Sequence, residues 1–347
     1  MFSYFKKNDP FRIIGLVLIL LGTRLGFFLF SKETQSTLDS FDYLLLQSPQ
    51  DDSLNTFFIH AGPLSELTFL GLASVGYPII SVVLATVLIL FNSILLNSIF
   101  IRNASFEESS FLPAAIFIIF LSTSQSFYFL SPALIGSTFI ILSLNYLFHH
   151  VKYRGSEENI LATGFTIGLA SLFYYPYFWF YLLIIIIYLF YSSTITRRYF
   201  LMTWGFLLPL LITWVTYLFL DKGSEFLSGL FQQIVNAQVL GEGLNKGLTI
   251  FGLGIALSMI AAIQSFSGQG MTNHQIMVQK AMSWMGFFSI VVFAIFGNIS
   301  VGSLVILALP MCYFCTKMLV SLRKKLIAEL LLFALLGCAI ASLLLAS

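Results

Sequence analysis

Long apolar runs separated by short polar breaks fill almost the whole chain, and their lengths set its architecture. The runs lie near 11–30, 78–100, 111–128, 131–149, 159–174, 177–192, 199–220, 248–264, 281–297, 300–319 and 326–346. Crossing a hydrocarbon core of ~30 Å takes ~20 apolar residues in a helix. In lipid a helix satisfies its own backbone polar groups, so helix is the form these runs should take. The pattern predicts an all-α fold, a polytopic transmembrane helical bundle of about eleven spans. It forms a single transmembrane domain over 1–347. The pairs 111–128/131–149 and 159–174/177–192 turn tightly, the second at Pro176.

Composition agrees. The 347 residues are 58% hydrophobic and 9% charged, whereas soluble domains carry roughly 25% charged residues. A net charge of +2 gives no handle on a polyanion, so nucleic acid is not expected as a partner. Lys6, Lys7 and Arg12 stand before or at the start of the first run, and no small-residue cleavage site follows it. That run reads as an uncleaved first span.

Charge also orients the bundle. With the N-terminus cytoplasmic, Lys6, Lys7, Arg12, Arg102, Lys152, Arg154, Arg197, Arg198, Lys280, Lys317, Arg323, Lys324 and Lys325 fall inside. Lys32, Lys222 and Lys246 fall outside, and Arg24 lies within the first span. This positive-inside bias supports an odd number of crossings and a C-terminus on the extracytoplasmic side. Two longer loops, near 31–77 and 221–247, then face outward and hold most of the acidic residues. Within the first, Pro63 opens a helix. Within the second, Phe226, Leu227, Leu230, Phe231 and Ile234 have the spacing of an interfacial helix. Tyr174, Tyr175, Tyr177, Trp179 and Tyr181 stand where an outer aromatic belt belongs.

Candidate chemistry gathers on that outward side. Asp39 and Asp42 are three residues apart, which on a helix places both carboxylates on one side. There they serve as a general base, a divalent-cation ligand or an acceptor clamp, or they form a solvated polar face. His60 titrates near neutrality and stands close to Glu66 in sequence, in Phe-Phe-Ile-His-Ala-Gly-Pro. Glu66 lies in the first turn of the helix that Pro63 opens, where a carboxylate suits the dipole and caps it. Arg24 sits in the outer half of the first span, where charge is expensive and points into the bundle or a wet cavity. It holds a phosphate, pairs with Asp39 or Asp42, or snorkels to the interface.

Other classes find less support. Cys312-Tyr-Phe-Cys315 has the C-x-x-C spacing, but in an apolar run it reads as packing, since thiolates need a polar site. No His-Glu-x-x-His occurs, and no metal ligand set is assigned. Gly241-Glu-Gly-Leu-Asn-Lys-Gly247 follows no strand, which removes the dinucleotide reading.

Several stretches resemble the membrane core of the GT-C glycosyltransferases. They are the first span ending Arg24-Leu-Gly-Phe-Phe, His60-Ala-Gly-Pro63-Leu64-Ser-Glu-Leu-Thr-Phe, Ser131-Pro132-Ala-Leu, and Gly164-Phe-Thr-Ile-Gly168-Leu-Ala-Ser-Leu-Phe-Tyr-Tyr-Pro176. The chain is also similar, over about 11–220, to an uncharacterised family of bacterial polytopic inner-membrane proteins. The GT-C resemblance implies sugar transfer from a polyprenyl-phosphate carrier on the extracytoplasmic face. An acid of the first outer loop would be base or metal ligand, a place that Asp39 and Asp42 match. Arg24, His60 and Glu66 would bind substrate. The sequence departs from that pattern in having no adjacent acidic pair at the position of Asp39 and Asp42 and no large outer C-terminal domain. Three readings follow: a glycosyltransferase-like membrane protein, a non-catalytic scaffold or secretion and envelope-assembly subunit with protein partners, and a transporter. Membrane lipids are partners in all three.

Overall fold

A computed structural model describes residues 1–6, 9, 11–30, 62–65, 68, 77–106, 108–123, 127–153, 157–191, 196–224, 226–228, 230, 254–263, 271–296, 304–322 and 324–345. Most of these residues are helical, and none of them forms a sheet. After the one-turn α1 (Phe2–Phe5) come α2 (Arg12–Phe30), α3 (Tyr77–Arg102), α4 (Leu112–Ser122), α5 (Pro132–Tyr153) and α6 (Glu157–Phe173). A 3-10 turn, Tyr175–Trp179, leads to α7 (Phe180–Tyr191) and α8 (Thr196–Phe219). The rest are α9 (Gly254–Ile263), α10 (Asn273–Phe296), α11 (Leu304–Ser321) and α12 (Lys325–Leu345). Each predicted apolar run contains one of these helices. Among the described residues three are long and apolar enough to cross a membrane: Ile80–Arg102, Pro132–His150 and Arg197–Phe219.

Contacts at the helix ends show that successive helices run in opposite directions. At one end the Phe111 amide donates to the Phe5 carbonyl at 2.9 Å. Lys152 Nζ reaches the Arg102 carbonyl at 3.2 Å, Arg197 meets Glu157 at 3.2 Å, and Gln275 Nε2 reaches the Ala104 carbonyl at 3.2 Å. This end therefore collects Lys6, Arg102, Lys152, Arg197 and Lys317, and is called the basic end below. At the other end the Leu130 amide donates to Ser81 Oγ at 2.9 Å, and Tyr177 Oη donates to the Ala133 carbonyl at 2.6 Å. Arg24 lies there.

Helix α4 is the centre of one half of the molecule. Every residue from Leu112 to Ser122 is buried, because α2, α3, α11 and α12 pack around it. A helix apolar on all sides has no surface for water and belongs in a core. Eleven residues rise only about 16 Å, so α4 ends well short of residue 128, where the apolar run had suggested. The chain turns instead through Phe127–Ser131.

The other half rests on glycines. Gly164 and Gly168 of α6 face the Met202 and Phe206 carbonyls of α8, and Gly205 of α8 faces the Leu161 carbonyl of α6. A Cβ at any of the three would enter the opposing backbone, so the helices cross at backbone contact, as small-residue motifs in membrane helices allow. The far side of α8 exposes Phe200, Trp204, Leu208, Leu211, Ile212 and Phe219. Similar stripes line α2 (Ile14, Leu18, Leu21, Leu25) and α12 (Leu326, Leu330, Phe333). Contiguous apolar faces of this length are costly in water and suit hydrocarbon.

One expectation changes here. Tyr174, Tyr175 and Tyr177 are buried, with the Tyr177 ring against Gly136. Tyr177 wedges the 3-10 turn against α5, where Gly136 leaves room for its ring, and none of the three forms a surface belt. Cys312 and Cys315 are buried free thiols, and the Cys312 thiol donates to the Leu309 carbonyl at 3.0 Å.

Candidate functional site

Arg24 is the charged group buried deepest in an apolar helix at the end opposite the basic residues. It is 5% exposed, so its side chain turns into the bundle and does not snorkel. The reason is local supply of acceptors. Helix α4 ends at Ser122, and carbonyls past a helix C-terminus lack intrahelical donors. Arg24 Nη2 donates to the Phe127 carbonyl at 2.7 Å, and Nη1 donates to the Tyr128 carbonyl. Its guanidinium carbon stands 4.4 Å from the centre of the Tyr128 ring, a cation–π contact. The planar fork of arginine suits two adjacent acceptors in a way the single nitrogen of lysine does not.

The same turn is tied from several sides. Tyr128 Oη donates to the Ser122 carbonyl at 3.2 Å, and the Thr23 and Ser122 hydroxyls lie 3.3 Å apart. Leu130 is held on α3 by Ser81. Gly62 is anchored at the same end of the bundle: its amide donates to the Phe173 carbonyl at 2.9 Å. Gly62 lies against the Leu172 backbone, where a Cβ would collide. Pro63–Ser65 is helical, as the Pro63 signal predicted. The Ser65 amide bonds to the Gly62 carbonyl at 3.0 Å.

Of the predicted site residues, Arg24 is therefore placed and engaged. Asp39, Asp42, His60 and Glu66 lie outside the described residues, as does most of the interfacial helix expected after Ser224. Among the described residues, no carboxylate forms an ion pair with Arg24, and no group of three His, Cys, Asp or Glu could hold a metal ion. The carboxylates expected to carry a divalent cation are not among those residues. Sequence reasoning missed Tyr128, Ser122 and Gly62. A signal for the first two was present: an arginine in an apolar span needs acceptors at its own depth. Ser-Phe-Tyr-Phe-Leu-Ser-Pro is the break between two apolar runs that supplies them.

Chemically, this arrangement fixes a positive charge at one end of the bundle using neutral partners. Two carbonyl dipoles and a ring face stabilise the guanidinium without cancelling its charge.

The model of a family of unknown function, DUF6427, matches residues 65–345. The matched stretch takes in the last four helices, further than the similarity over 11–220 had reached. It begins after Arg24, Asp39, Asp42 and His60, and includes Glu66. No curated protein matches the chain.

Proposed function

Matched over most of its length, the chain belongs to this family of unknown function, and from that premise we propose a bacterial inner-membrane protein of eleven crossing helices. Its Arg24 end faces the extracytoplasmic side, where it moves a sugar from a lipid-phosphate carrier. The strict alternation of helix direction supports an odd number of crossings. The collection of lysines and arginines at the opposite end supports an inward orientation for that end. In this reading α4 and the other short helices cross with help from their flanking turns.

The observation that carries the reading is the buried guanidinium of Arg24. It sits where the first span gives way to the loop that contains Asp39 and Asp42. An always-charged group with neutral partners in an apolar helix is a natural hold for a phosphate. In the proposed site Asp39 or Asp42 accepts the acceptor's proton, Arg24 holds the donor phosphate, and His60 and Glu66 line the cleft. Positioning and one general base suffice for a single displacement at the sugar.

The test is genetic and chemical. A deletion strain should lose one envelope glycan or glycolipid by mass spectrometry, with its lipid-linked donor accumulating. Asp39→Asn with Asp42→Asn should reproduce that profile while the protein is made at normal level. A double variant with a wild-type profile removes the reaction.

A second reading rests on a different feature of the same geometry. Both ends of the Arg24 fork already grip the 127–128 turn, as in a structural staple. In that reading the chain is a non-catalytic envelope scaffold whose outer loops bind protein partners. Co-purified partners that survive the double Asp variant would favour it.

A further inference from the structure

At the basic end, far from Arg24, a cavity of about 90 Å³ opens between the α3–α4 connection, the start of α10 and the end of α11. One water occupies ≈ 30 Å³ in the liquid, so the space holds a group about the size of three waters, that of a phosphate. Its walls include Ser105, Phe106, Gln275, Lys317 and Ser321.

Two of these residues point to a ligand. Ser105 is 4% exposed, and its hydroxyl has no hydrogen-bond partner among the described residues. A buried hydroxyl left unpaired is destabilising, so an acceptor brought in by a ligand would be stabilising. Lys317 brings an ammonium to the same cavity, resting on Met271 Sδ at 3.0 Å and on Gln279 Oε1.

The backbone is shaped to present Ser105. Helix α3 closes with the Ser105 amide on the Phe100 carbonyl and the Ala104 amide on the Ile101 carbonyl, both at 3.0 Å. That closure places Ala104 at φ 46°, a position glycine usually fills. Gln275 braces it. Its Nε2 donates to the Ala104 carbonyl at 3.2 Å, while its Oε1 accepts the Thr272 amide at 3.0 Å.

We propose that this cavity binds a phosphate-type oxyanion, held by the Lys317 ammonium and the Ser105 hydroxyl. Free phosphate and the phosphate of a lipid headgroup share that chemistry. The site is independent of the sugar-transfer reading, being at the other end of the bundle.

The experiment uses the full-length protein in neutral detergent. Thermal unfolding is followed against inorganic phosphate, and against micelles doped with phosphatidic acid or phosphatidylglycerol. Chloride at matched ionic strength and phosphatidylcholine are the controls. A saturable rise in the unfolding midpoint with phosphate assigns the free ion, and a rise only with anionic lipid assigns the headgroup; either supports the proposal. Ser105→Ala removes no protein hydrogen bond, so without ligand its midpoint should equal or exceed that of the wild type. With ligand its affinity should fall roughly tenfold, the effect of one hydrogen bond to a charged group. Lys317→Gln should abolish the ligand-dependent rise. The proposal is overturned if neither ligand exceeds its control, or if Ser105→Ala binds as tightly as the wild type.

Discussion

Arg24→Met removes the side chain that donates to the Phe127 and Tyr128 carbonyls, and its cost follows from what is left behind. Each buried carbonyl deprived of its donor costs about 1–3 kcal/mol, so the pair costs roughly 2–6 kcal/mol. The cation–π contact with Tyr128 adds about 0.5–2 kcal/mol. Releasing a buried charge returns part of this, because the guanidinium no longer has to be desolvated. The net expectation is a loss of about 3 kcal/mol. Arg24→Lys keeps the charge on one nitrogen, which cannot fork to both carbonyls or lie flat on the ring. It should lose about half as much. Equilibrium unfolding in mixed micelles, with increasing dodecyl sulfate and circular dichroism as readout, measures both. If Arg24→Met unfolds within about 0.5 kcal/mol of the wild type, a size at which ordinary surface changes fall, the carbonyls have other donors and the staple is not a support of this end.

Three further outcomes test other parts of the fold. Gly205→Val should push α8 off the Leu161 carbonyl of α6 and cost about 1–3 kcal/mol or more, seen as a lower unfolding midpoint. The exposed Trp204 beside it, changed to Leu, should have little effect. Ala104→Gly should raise stability by up to about 1 kcal/mol, since glycine adopts the φ 46° backbone without strain. His274 has its pKa lowered, first by burial and then by the Lys152 charge, against a raising bond from Phe148. Above pH ~6.5 the ring is neutral in folded and unfolded chains alike and contributes nothing. As pH falls below that value the unfolded chain takes the proton first, so stability declines until the folded pKa is passed. The unfolding midpoint should therefore drop between pH 7.5 and 5.5, and His274→Gln should drop less; equal slopes would exclude His274 as the cause.

Some of this was written in the chain itself. Hydropathy is a local property, and the apolar runs located each helix, from Arg12–Phe30 to Lys325–Leu345. Pro63 marked a helix start and Pro176 a turn for the same reason, because a fixed φ and a missing N–H act within a residue or two. The basic residues too were sorted by run counting, and they do gather at one end. Partners were not legible. Only packing decided that Leu112–Ser122 is enclosed while α8 presents an apolar face outward, since both read as equally hydrophobic strings. Tyr177 was expected at a surface and lies against Gly136, because a ring fills space that a distant glycine leaves open. Arg24 announced itself as costly in an apolar span. That its charge is spread over two carbonyls and a ring, more than a hundred residues along the chain, depended on where the helix after Leu112 stops. Composition fixes what a segment prefers as solvent; the fold alone fixes which backbone groups arrive unpaired beside a given side chain.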